Sequence, residues 1–254
     1  MIKVDGLYKN YGKFRAVNDL SFHVDKGEVF GFVGANGAGK STTMKVAAGL
    51  LKATKGTIYV NGVDVRKEPA KAKGFIGYVP DFFGVYSDLK ADEYMNFYCG
   101  VHKVPVASRK EVIDNLLELV NLSDKKDFYV DDLSRGMKQR LCLARALIHN
   151  PEILIMDEPA SGLDPRARVE FRDIVKTLQD MGKTIIISSH ILLELAEMCT
   201  TIGIIDKGEL ETKGSVSEIQ KQLSQLSRQK IKTKAESSDI IYMLEENPDV
   251  TDII

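Results

Sequence analysis

The stretch Gly34-Ala35-Asn36-Gly37-Ala38-Gly39-Lys40-Ser41 constrains this chain more than any other. It fits the pattern G-x-x-x-x-G-K-[ST] at every fixed position. The apolar run Val29-Phe30-Gly31-Phe32-Val33 stands directly before it and reads as a buried strand, with a helix expected after the loop. Glycines let the backbone wrap around phosphates and aim its N–H groups inward. The helix that starts there adds the positive end of its dipole. Gly34, Asn36, Gly37, Ala38 and Gly39 would form the cradle, and Lys40 would reach the β- and γ-phosphates. The Ser41 hydroxyl would be a Mg²⁺ ligand, and Thr42 would bind the α-phosphate. A chance glycine turn is the bland alternative, and the strand–loop–helix context argues against it.

A second element, Ile153-Leu154-Ile155-Met156-Asp157-Glu158, is an apolar strand ending in two carboxylates. Alone it could be a strand ending in a polar turn. Downstream of a phosphate loop, Asp157 would hold Mg²⁺ through water and Glu158 would polarise the attacking water as general base.

Between and around these elements the chain reads as α/β. Residues 1–30 alternate in short β-like runs. Thr57-Ile58-Tyr59-Val60 is strand-like and meets Asn61-Gly62, a hairpin signal. Phe75 to Val79, Thr184 to Ser188 and Ile202 to Ile205 are further strands. From about Ser87 to Ile148 the pattern is helical, with Met137, Leu141, Ala144 and Ile148 on one face. Phe171, Ile174, Val175 and Leu178 mark another helix, stopped by Gly182. Strands alternating with helices predict a largely parallel sheet with its ligand at the C-terminal strand edges. No internal repeat is visible.

Bulk properties exclude other classes. The net charge of −1 over 254 residues provides no basic field for nucleic acid or an anionic membrane. Cys99, Cys142 and Cys199 are widely spaced without a CxxC, which argues against a disulfide framework or a zinc site and fits a reducing compartment. No apolar run approaches the ~20 residues that span a bilayer, and MIKVDGLYKNYGKF is no signal peptide. Action at a membrane would need a partner.

Four further pieces carry a family resemblance. Leu133-Ser134-Arg135-Gly136-Met137-Lys138-Gln139-Arg140 resembles the LSGGQ signature of ATP-binding cassette (ABC) proteins. Ser161-Gly162-Leu163-Asp164 resembles their D-loop, and His190 after Ile187-Ser188-Ser189 their switch histidine. Tyr11 sits where the family places an aromatic under the adenine. Each piece is weak alone; together, in order over about residues 2–215, they are specific.

The resemblance implies a P-loop NTPase (RecA-like) core with a mainly parallel α/β sheet, an N-terminal antiparallel β subdomain and an inserted helical subdomain at about 87–148. These would make up a nucleotide-binding domain of residues 1–215, followed by a C-terminal α+β extension, 216–254. It implies the ATP-hydrolysing subunit of a membrane transporter, an exporter by its type of signature, on the cytoplasmic face and touching the membrane only through a permease. Two cassettes, identical or different, would pair head to tail around ATP and Mg²⁺. Ser134 and Gly136 would begin a helix that faces the γ-phosphate across the interface; His190 would contact the γ-phosphate beside Lys40 and position the water with Glu158; Asp164 would communicate between sites. Ser41, Asp81 and Asp157 would serve the metal.

There are departures. Asp81, in Gly77-Tyr78-Val79-Pro80-Asp81, replaces the family's glutamine; it is shorter and adds charge, yet offers Mg²⁺ a hard oxygen. Arg135 replaces a glycine, and Met137 a glutamine; Arg135 is expected in solvent. The apolar loop of Phe82, Phe83, Val85 and Tyr86 is expected to meet a membrane subunit. In the tail, a polar helix from Ser217 to Arg228, a strand from Gln229 to Lys234, a helix capped near Ser237 and a strand from Val250 suggest a piece of a longer protein. A soluble cassette ATPase is the alternative function, but the chain lacks the coiled coils, zinc modules or second cassette of such proteins. A P-loop kinase or GTPase would leave the signature, D-loop and histidine without a role.

Overall fold

Alternation makes the N-terminal third β-rich. The computed structural model describes residues 1–81, 84 and 88–225. In β1 (Ile2–Tyr11) the side chains of Ile2 and Val4 are buried while Lys3 and Asp5 are exposed, the two-residue period of a strand; a register shift after Val4 puts Leu7, three residues on, in the core. β2 (Phe14–Val24) buries Leu20, Phe22 and Val24 in the same way. β3 (Val29–Val33) is buried on both faces. Then come α1 (Lys40–Ala47), β4 (Lys55–Val60), β5 (Val63–Asp64), α2 (Pro69–Gly74) and β6 (Ile76–Val79). The hairpin between β4 and β5 turns at Asn61 and Gly62 with φ of 48° and 76°, the pair of positive angles expected from Asn-Gly.

The helical stretch holds α3 (Ala91–Val101), α4 (Val106–Leu119) and α5 (Arg135–Leu147). After it come β7 (Ile153–Met156), α6 (Pro165–Asp180), β8 (Thr184–Ser189), α7 (Leu192–Ala196), β9 (Thr201–Asp206), β10 (Glu209–Ser215) and α8 (Val216–Gln225). Among the described residues no helix is long and apolar enough to cross a membrane.

Two sheets result. The smaller is antiparallel, in the order β2-β1-β4-β5; the larger runs β10-β9-β3-β8-β7-β6. Within the larger sheet every pairing is parallel except that of β10 with β9. The carboxyl ends of β3, β6, β7 and β8 therefore share one edge, where loops leaving the strands meet. Side chains alternate across this sheet into two cores. Val29, Leu154, Met156, Ile185 and Ile187 face the helices α5 and α6. Phe30, Phe32, Ile153, Ile155 and Ile186 face the antiparallel sheet and α1, where the Phe22 and Phe30 rings stack at 5.2 Å.

On α6, Phe171, Ile174, Val175 and Leu178 are the buried face, and the helix stops before Gly182 at φ 79°, as expected from the sequence. Phe171 is fully buried. Phe171→Ala should lower the unfolding free energy by about 3–5 kcal/mol, read as a lower urea midpoint at unchanged m-value; a midpoint within error of the native protein's would contradict this packing.

The chain divides into two units, Met1–Ile219 and Gln220–Ile254. Of the second, only 220–225, the end of α8, lie among the described residues. The apolar loop residues Phe82, Phe83, Val85 and Tyr86, and the elements expected beyond residue 225, lie outside them. β10 has no counterpart among the strands expected from the sequence. Its hairpin turns at Lys207-Gly208, φ 46° and 85°, where a lysine takes the position usually given to Asn or Asp. Alternation in Glu209-Leu210-Glu211-Thr212 was the remaining signal.

Candidate functional site

β3 delivers the glycine loop to the edge of the sheet, and α1 begins at Lys40. Two glycines are required there for different reasons. A β-carbon on Gly34 would lie 2.3 Å from the Ile205 carbonyl oxygen, so only glycine lets the loop start against β9. Gly39 holds φ at 107°, a conformation other residues rarely adopt. Lys40, 5% exposed, uses its ammonium on three acceptors: the carbonyl oxygens of Gly34 (2.6 Å) and Ala35 (3.1 Å), and Glu158 Oε1 (3.2 Å). A buried cation held this way has its charge fixed beside the cleft.

The apolar run of β7 places the two carboxylates. The Asp157 N–H donates to the Val79 carbonyl at 2.8 Å, extending the pairing of β7 with β6. Asp157 Oδ1 accepts from the hydroxyls of Ser41 (2.9 Å) and Ser188 (2.8 Å). Burial raises the Asp157 carboxyl above its ordinary range, and these two hydroxyls partly offset the rise. At Glu158 the chain takes φ of 49°, strained for a residue with a side chain. The Glu158 N–H donates to Ser188 Oγ at 2.9 Å. Its carboxylate bridges Lys40 and His190, whose Nδ1–H donates to Oε2 at 2.8 Å.

These groups border a cleft of about 350 Å³ lined by Tyr11, Phe14, Ala16, Asn36, Gly37, Gly39, Lys40, Ser41, Thr42, Asp81, Glu158, Ser161 and His190. Sequence reasoning thus named residues from five distant segments that the fold brings to one place. Gly34 and Ala38 underlie the loop rather than facing the cleft, and Asp157 lies behind Ser41. Phe14 and Ala16 were missed, and Ser161 was read only as part of the D-loop. Phe14 pairs with Tyr11 across the β1–β2 turn and is 62% exposed, and an aromatic next to a hairpin turn was the available signal.

Ser134, Gly136 and Asp164 do not line this cleft. Ser134 caps α5, its Oγ accepting from the Met137 N–H at 3.3 Å. Asp164 caps α6, accepting from the Ala167 N–H at 2.9 Å. Both are ordinary N-caps. Gly136 lies where α5 meets α6: a β-carbon there would stand 2.9 Å from that of Ala167. Arg135 is exposed, as expected, and its guanidinium lies against Gly162.

The donors near the loop fit Mg²⁺. Ser41, Asp157 and Asp81 offer hard oxygens, and among the described residues no cluster of three or more His, Cys, Asp or Glu forms a metal cage. Mg²⁺ bound with phosphate needs only one or two protein oxygens and completes its shell with phosphate and water.

Comparison with known proteins agrees with this arrangement. The profile of the ABC transporter family matches residues 17–161. The linearmycin resistance ATP-binding protein LnrL of Bacillus subtilis (strain 168) is 39% identical over 219 residues, 86% of this chain and 70% of that protein. The probable multidrug ABC transporter ATP-binding protein YbhF of Escherichia coli (strain K12) is 36% identical over 87% of this chain, which spans 38% of that longer protein. A solved ATP-binding subunit of an ABC transporter superposes with a TM-score of 0.78 at 28% identity, covering 96% of this chain and 98% of that one. The chain belongs to the ABC transporter family, as an ATP-binding and ATP-hydrolysing cassette.

Proposed function

We propose that this cassette powers a membrane transporter by pairing head to tail with a second cassette, a copy of itself or a relative, around ATP. The observation that carries this is a division of labour. Lys40, Ser41, Glu158 and His190 share one cleft, whereas Ser134 and Gly136 stand apart from it at the start of α5. A helix start aimed at a partner's phosphate would complete a site that one chain leaves half built.

Tyr11 stacks on the adenine. The N–H groups of Asn36, Gly37 and Gly39, set by the turn that Gly34 and Ala38 underlie, and the Lys40 ammonium hold the β- and γ-phosphates, and Thr42 the α-phosphate. Ser41, Asp157 and Asp81 would hold Mg²⁺, which when bound would supply charge neutralisation. Glu158 accepts a proton from the attacking water, and His190 holds the Glu158 carboxylate in position and touches the γ-phosphate. Water oxygen bonds to the γ-phosphorus as the bond to the β-bridging oxygen breaks, leaving ADP and phosphate. Asp164 links the two sites, and loss of phosphate reopens the pair. A permease with membrane-spanning helices receives that motion, which places the cassette at the cytoplasmic face with no nucleic-acid partner. Export is favoured because the relatives LnrL and YbhF carry resistance and multidrug names.

Asp81 in the cleft wall gives a local test. Asp81→Ala should raise the Mg²⁺ concentration for half-maximal turnover by about tenfold, the usual effect of losing a supporting ligand. Unchanged Mg²⁺ dependence and turnover would remove Asp81 from the metal site. For the whole reading, the tagged protein is extracted from its native membranes in mild detergent with ATP. A multi-spanning protein in stoichiometric yield is the expected companion. Ribosomes or soluble proteins alone would overturn the transporter assignment.

A further inference from the structure

The turn after β7 carries a contact that the hydrolytic machinery does not require. Ser161 borders the nucleotide cleft, and its N–H donates to the Glu158 carbonyl at 3.1 Å. The next residue, Gly162, has φ of 67°. A β-carbon on Gly162 would stand 2.5 Å from Nη1 and 2.6 Å from Cζ of Arg135, so the flat guanidinium lies on the bare face of the glycine. Leu163 is buried and Asp164 caps α6. Arg135 is the first residue of α5, directly after the Ser134 cap. With the described residues it forms no ion pair; its exposed head group rests against Gly162 instead.

We infer that Arg135 is a positioning residue that clamps the Ser161–Asp164 turn to the start of α5. The turn following Glu158 and the helix start bearing Ser134 and Gly136 then move as one piece. Its effect on the partner's ATP rests on the paired arrangement proposed above; the clamp itself lies within one chain. The planar group matters because it covers Gly162 with area. A lysine ammonium on a thin stem cannot do this, and a glycine or alanine leaves the turn uncovered. A side chain at position 162 would evict the guanidinium.

The test is a double-mutant cycle on ATP turnover of the full chain. Arg135→Ala should lower kcat by about tenfold with little change in KM, because the cleft that binds ATP is intact and its neighbour has lost register. Arg135→Lys should not restore kcat. Gly162→Ala should also lower kcat, but by several-fold less in the Arg135→Ala background, since the group it displaces is already gone. Melting temperatures separate this from a purely structural role, which would lower stability at native kcat. Native kcat for Arg135→Ala, full rescue by lysine, or strictly additive losses would each overturn the clamp. Light-scattering mass of the Glu158→Gln protein in MgATP reports separately on pairing: a single chain there removes the dimer, while the cycle still decides the clamp.

Discussion

Glu158→Gln should abolish almost all turnover, by about a thousandfold, while ATP still binds. Positioned general bases contribute typically 10²–10⁴-fold, and Glu158 is the carboxylate at the cleft with a hydrogen-bonded orienting group, His190 at 2.8 Å. Glutamine has nearly the same shape but cannot take a proton from water. It also removes a negative charge 3.2 Å from Lys40, so nothing in the change opposes the phosphates. Single-turnover phosphate release measures the chemical step, and fluorescent nucleotide titration measures binding. A rate within a few-fold of the native protein's would mean that another group, or water alone, receives the proton.

Lys40→Ala should cost about 10²–10³ in turnover and weaken ATP binding as well. Preorganised donors aimed at developing phosphate charge are worth this much in a water-poor site, and Lys40 is 5% exposed. Its removal also leaves the Gly34 and Ala35 carbonyls and the Glu158 carboxylate without their cation, so the empty cleft becomes repulsive to a tetra-anionic ligand. Lys40→Arg should not rescue, because the bulkier guanidinium cannot occupy the loop's interior. Steady-state ATPase assays with nucleotide titration check this, and a thermal melt excludes misfolding. Near-native turnover in a folded Lys40→Ala protein would contradict the phosphate-loop assignment.

Most of the site was legible because its chemistry requires particular residue types at short spacing. The loop from Gly34 to Ser41 must combine bare backbone with one cation and one hydroxyl, and that combination survives in a single sequence. Asp157 and Glu158 were legible because a phosphate loop stands upstream; alone, a strand ending in a polar turn is common. The same strand logic found β3, β7 and β8 to within about one residue. Contacts between distant segments were not legible. Ser188, which bonds both the Asp157 carboxylate and the Glu158 N–H, was read only as part of a strand. Its role depends on β8 lying beside β7, and parallel neighbours leave no local trace in sequence. Phe14 and β10 escaped for the same kind of reason: one depends on a hairpin register, the other on a turn with lysine at a positive φ. Arg135 is exposed as expected, but its contact with Gly162 was not legible, because Gly162 has no side chain to announce it.

The central claim is that one chain holds half of each ATP site. Light scattering of the Glu158→Gln protein in MgATP and in MgADP tests it most directly. Twice the mass of one chain in MgATP, returning to a single chain in MgADP, is the predicted result. A single chain in both nucleotides, at concentrations where ATP binding is saturated, would contradict it.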